Sequence, residues 1–252
     1  MKFTKVAVVG AFALTTLAGG TSAFAEKDGG TLNSKAFIQF EKNTDTVDPI
    51  NPINPINPIN PDEVVEPIVD PENPDDTHEP GTNGPLSIDY VSNFNFDKQK
   101  ASGNNEVYYA KLDNVKNKKT GAESEVPNFV QVTDNRGTNA GWKLTVKQND
   151  QFKTADAKEL TGATLTLKNG TLNSAAGSKA PTAAQNIALT PGQAFDVATA
   201  QEEEGMGTWT NSFGESVKDG EKSVELSVPG KTKKEQAQYT TSLTWELKDA
   251  PM

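Results

Sequence analysis

GWKLTVK, residues 141–147, decides the fold. Trp142, Leu144 and Val146 alternate with Lys143, Thr145 and Lys147. Because an extended chain sends successive side chains to opposite faces, the three apolar groups share one side and the polar ones face water. The frame recurs a hundred residues on in LTWELK, 243–248, where Leu243, Trp245 and Leu247 alternate with Thr244, Glu246 and Lys248. Each is an amphipathic strand with a tryptophan on its apolar face and a leucine two positions later.

The chain between Pro85 and the second motif has the same texture. LSIDYVSNFNF, EVYYAKL, NFVQVTD, GWKLTVKQ, ATLTLKNG, QNIALTPG, QAFDVATA, GTWTNSF, SVELSVPG and YTTSLTWEL are short runs rich in Thr, Val, Phe, Tyr and Trp, bounded by Gly, Asn, Asp or Pro. Helical periodicity over a dozen residues is absent, and KTADAKELTG (153–162) supports at most one turn. Short strands at this spacing predict an all-β domain over residues 86–250, an antiparallel β-sandwich or related Greek-key arrangement.

Upstream the composition changes twice. Lys2 and Lys5, the apolar run Val6–Leu17 and Ala23-Phe24-Ala25 predict a signal peptide over residues 1–25, with an apolar run too short to span a membrane. Residues 26–47 include TLNSKAFIQFEKN, whose alternation suits one short strand that could pair with an edge of the main domain. Residues 48–85 open with DPINPINPINPINP and continue into an acidic, proline-rich stretch. Proline at every third position fixes φ and disfavours helix, so a disordered, polyproline II-like spacer is expected. Ile50, Ile53, Ile56 and Ile59 would then form one apolar row, the alternative being a docking stripe.

Charge and cysteine content exclude several functions. The formal net charge is −10, yet residues 41–80 hold eleven Asp and Glu against one Lys, so the remainder balances. The acidity belongs to the spacer and nucleic acid is not an expected partner. There are no cysteines and the sole histidine, His78, lies in the spacer, which removes disulfides, thiol catalysis, zinc-thiolate sites and histidine triads within the β-domain. No cofactor or metal site is implied. Glu202-Glu203-Glu204 matches no calcium-loop spacing and reads as an exposed acidic loop.

The two Trp-x-Leu frames resemble the WxL domain surface proteins of low-GC Gram-positive bacteria. The likeness extends over PLSIDYVSNFNF (85–96), NFVQVTDNRGTNAGWKLTVKQ (128–148), GMGTWTNSFG (205–214), VELSVPG (224–230) and YTTSLTWEL (239–247), in that order. Such a resemblance implies a non-enzymatic, secreted protein held non-covalently at the cell wall, with peptidoglycan or an associated wall polymer as partner. Docking to another surface protein is the alternative. No membrane span is expected.

The candidate binding residues are Trp142, Leu144, Trp245, Leu247, Arg136 and Trp209. For Trp142 and Trp245 two readings compete: indoles buried in the core, or ring faces open to a sugar or a partner. Trp209 is placed in the core or at a loop base, with sugar stacking as the alternative. Arg136 is the one arginine beside twenty-three lysines, in a DNRGT loop expected to close a hairpin between NFVQV and GWKLTV. Its planar donor fork suits a specific carboxylate or carbonyl, internal or on an anionic wall polymer.

Overall fold

The structure is a computed structural model that describes residues 31–55, 64–69, 77–175 and 178–249. The expected signal peptide lies outside the described residues. Fifteen strands are formed in the described chain. In order they are β1 (Val65–Pro67), β2 (Leu86–Val91), β3 (Glu106–Tyr109), β4 (Asp113–Asn117), β5 (Glu123–Val126), β6 (Phe129–Asp134), β7 (Trp142–Gln148) and β8 (Thr164–Lys168). There follow β9 (Gly170–Asn173), β10 (Thr182–Ala183), β11 (Asn186–Ala188), β12 (Ala194–Ala200), β13 (Gly207–Phe213), β14 (Val224–Val228) and β15 (Leu243–Asp249). One four-residue helix, α1 (Val217–Gly220), is capped by the Ser216 hydroxyl, which accepts from the Asp219 N–H.

The strands make four antiparallel sheets in the orders β1-β4-β5, β2-β6-β13-β9, β11-β8-β14-β3 and β10-β12-β7-β15. The all-β, antiparallel expectation therefore holds, but the sandwich does not. The four sheets are arranged as a propeller-like ring of four blades. Division of the strands among four small sheets leaves no two broad facing layers, and the apolar faces of the three larger sheets meet in one core. That core takes Val130 and Val132 from β6, Trp142, Leu144 and Val146 from β7, Leu165 and Leu167 from β8, Trp209 and Phe213 from β13, and Val224, Leu226 and Val228 from β14.

β6 is buried along its whole length, because both faces of its sheet are covered. Behind it a second cluster of Val65, Tyr90, Val115, Val126 and Phe129 joins the sheet to β1-β4-β5. Asp113 sits beside this joint. Its carboxylate accepts from Tyr90 Oη at 2.9 Å, Ser92 Oγ at 2.5 Å and Asn128 Nδ2 at 3.0 Å.

The segment read as a free spacer is tied down wherever it is described. The Ile50 N–H donates to Gln131 Oε1 at 2.8 Å, and Gln131 Nε2 donates back to the Asp48 carbonyl at 3.1 Å. The Pro52 carbonyl accepts from Asn173 Nδ2 at 2.9 Å and Thr210 Oγ1 at 3.3 Å. Ile50 and Val65 are buried, and Val65–Pro67 pairs with β4. His78 is placed as well, its ring 5.0 Å from that of Tyr90. Proline removes backbone donors but leaves carbonyls and side chains, and the outer face of β6 and β13 supplies amides and hydroxyls to meet them.

The expected strand within residues 26–47 is not formed in its described part. The chain divides after Gln39. In the first unit, residues 31–39 take no regular structure and Leu32, Phe37 and Ile38 are exposed. In the second, residues 40–49 also form no strand, and Phe40 is exposed. A lone extended segment has no ladder to satisfy its backbone.

Candidate functional site

The two Trp-x-Leu frames are neighbours. β15 pairs antiparallel with β7, setting Trp245 across from Val146, Leu247 across from Leu144, and Asp249 across from Trp142. β12 covers the other edge of β7. The first motif is thus the central strand of its blade, and the second is an edge strand.

This difference separates the two indoles. Trp142 has no exposed surface, and its Nε1 donates to the Gly205 carbonyl at 3.0 Å. Leu144 is equally buried. Trp245 and Leu247 are half-buried and pack against the core from its rim, with the Trp245 ring 6.5 Å from that of Phe213. Trp209 on β13 is 4% exposed and donates from Nε1 to the Met206 carbonyl at 3.2 Å. Of the three tryptophans, Trp245 alone keeps ring surface at the edge of the fold.

Glycine makes the Trp142 site possible. Gly205 has φ +72°, and a Cβ there would stand 2.6 Å from Trp142 Nε1 and 2.6 Å from Ala200 Cβ. Only a residue without a side chain lets the 205 carbonyl reach the indole. The motif spacing gives no hint of this glycine, although it lies within the conspicuous GMGTWTNSFG run.

Arg136 ties the two motifs together. Its Nε and Nη2 form a fork on Asp134 at 2.9 and 2.7 Å, Nη2 also donates to the Gly141 carbonyl at 2.6 Å, and Nη1 pairs with Asp249. Asp134 is 2% exposed and Asp249 largely exposed, so the guanidinium bridges a buried anion to the end of the second motif strand. The DNRGT loop does not close a hairpin, because β6 and β7 belong to different sheets. It crosses between blades, with Gly137 at φ +71°, and Arg136 holds that crossing. Nothing in the sequence marks Asp249, just beyond Leu247, as the partner of this arginine.

The opposite face of the paired motif strands is polar. Lys143 stands across from Lys248, Thr145 from Glu246, and Lys147 from Thr244. Lys143 also pairs with Asp196 on β12 at 2.9 Å, and Lys248 with Glu246 at 3.1 Å. Like charges directly opposite each other are unfavourable in a sheet. Elsewhere Glu204 accepts from the Gln201 N–H and pairs with Lys179, interactions that hold its carboxyl below the usual range. No cluster of three or more His, Asp or Glu suited to a metal occurs among the described residues, and no helix there is long and apolar enough to cross a membrane.

No curated protein and no solved structure matches the chain. A family model described as WxL domain, surface cell wall-binding, matches residues 27–251, nearly the whole sequence. The chain belongs to the WxL family of surface domains that bind the cell wall.

Proposed function

We propose that this is a secreted, non-enzymatic protein of a Gram-positive surface, made with a signal peptide over residues 1–25 and retained by direct, non-covalent contact of its folded domain with peptidoglycan. The family match over residues 27–251 carries this reading. The contact surface is the polar face of β7 and β15, where Lys143, Lys147 and Lys248 lie beside Thr145, Thr244 and Glu246, with Trp245 and Leu247 on the reverse side of the edge strand. Ammonium and hydroxyl groups on one face suit the carboxylates and hydroxyls of a muropeptide, and Asp196 and Glu246 are the present partners of Lys143 and Lys248. Trp142, Leu144, Trp209 and Arg136 act by building this face. Modest affinity at each site suffices, since a repetitive polymer allows rebinding.

A second reading is favoured by the exposed Leu32, Phe37 and Ile38 of the first unit, which suit a partner protein. There, wall retention is indirect. Co-sedimentation of the purified full chain with sacculi stripped of protein separates the two. Direct attachment predicts saturable pull-down without any other protein, and tethering through a partner predicts none.

A further inference from the structure

The outer face of the β2-β6-β13-β9 sheet is polar yet buried. Gln131, Thr210 and Ser212 have no exposed surface, and Ser87, Asp89, Thr133 and Thr208 are each below a tenth. Three of the groups here grip the residue 48–52 strap: Gln131 as donor and acceptor on either side of Pro49, and Asn173 and Thr210 on the Pro52 carbonyl. The Pro49 carbonyl meanwhile accepts from the Val65 N–H at 2.9 Å. Every one of these contacts goes to the strap's backbone. The side chains that accompany them, buried Ile50 and buried Pro52, belong to a Pro-Ile-Asn-Pro unit.

That unit occurs in four overlapping copies, starting at Pro49, Pro52, Pro55 and Pro58. A shift by three residues presents the same isoleucine, prolines and backbone groups to the same partners. The turn after the docked unit repeats too. Asn51 Oδ1 accepts from the N–H groups of Ile53 and Asn54, and the same Asn-Pro-Ile-Asn order recurs from Asn54 and from Asn57. One contact is specific to the observed register, the exposed pair of Asp48 with Lys118 at 2.8 Å. In the next register Asn51 replaces Asp48. Exposed pairs of this kind contribute little.

We propose that this face is a docking site for Pro-Ile-Asn-Pro peptide units, and that the strap exchanges between registers of its own repeat, with Ile53 taking the place of Ile50. Each step passes three residues across the dock, about 9 Å of extended chain at roughly 3.1 Å per residue. The repeat is then an adjustable tether for the N-terminal segment that precedes it.

Amide hydrogen exchange of the 15N-labelled full chain tests this. In Ile50→Asn the protection factor of the Ile53 N–H, its exchange rate taken against the intrinsic rate for its own residue type, is expected to be at least tenfold higher than that of position 53 in a variant with Ile50, Ile53, Ile56 and Ile59 all changed to Asn. Equal protection factors in the two variants, or protection that stays at position 50, overturn the proposal. Lys118→Ala, a change at an exposed side chain, removes the register-specific pair without disturbing the core. It should lower protection at Ile50 and raise it at Ile53 by factors whose product is about twofold, and protection that falls at Ile50 with no gain at Ile53 also overturns it.

Discussion

Leu144 and Leu247, the leucines of the two Trp-x-Leu motifs, stand directly across from each other on neighbouring antiparallel strands. A motif that recurs a hundred residues apart is therefore one structural unit. Its inner side builds the core, and its outer side is a lysine- and threonine-bearing surface. Arg136 and Asp249 fasten the ends of that unit together.

If the Trp142 site depends on a glycine, Gly205→Ala should be costly although it adds one methyl group. The new Cβ would collide with the indole and with Ala200, at a φ that alanine disfavours. A loss of about 2–3 kcal/mol is expected in urea unfolding followed by tryptophan fluorescence.

Arg136→Lys should destabilise although charge is kept. An ammonium cannot hold both oxygens of buried Asp134 and the Gly141 carbonyl together, so a loss of about 1–3 kcal/mol is expected. Asp249→Ala removes only a largely exposed partner and should cost at most about 1 kcal/mol. Thermal unfolding of the two variants compares them, and equal losses would show that the buried fork is not what matters.

Stability should depend on pH through Asp89. Burial raises its pKa above the ordinary 3.8, a shift only partly countered by hydrogen bonds from Ser87, Thr133 and Gln131. Between the unfolded and the raised folded value the native state holds more protons than the unfolded chain, so this group's contribution falls as pH rises through that window. Below the ordinary value the penalty is absent. Asp89→Asn should therefore gain on the unaltered protein as pH rises above the ordinary carboxylate value through the raised folded one, measured as the difference in unfolding free energy. A difference that is flat, or of opposite slope, would contradict the assignment.

The sequence makes the shared face of β7 legible, because strict alternation over seven residues puts Trp142, Leu144 and Val146 on one side; whether that side is core or contact surface stays open until their burial decides it. The same alternation places Trp245 but not its neighbour, since local periodicity carries no information on which strands pair. DNVKN and ESEV, which form β4 and β5, give no strand signal because Asp, Asn, Lys and Glu are poor strand formers. Burial of Val115 and Val126 against Phe129 overrides that preference. The docked strap is hidden for another reason: its partners Gln131, Asn173 and Thr210 are polar residues that no hydrophobic pattern marks.

Co-sedimentation of the full chain carrying Lys143→Glu, Lys147→Glu and Lys248→Glu with bare sacculi tests the central claim most directly, with thermal unfolding confirming the fold. The account predicts at least tenfold weaker binding than the unaltered protein. Undiminished binding by the folded variant would contradict it and move the wall contact away from the paired motif strands.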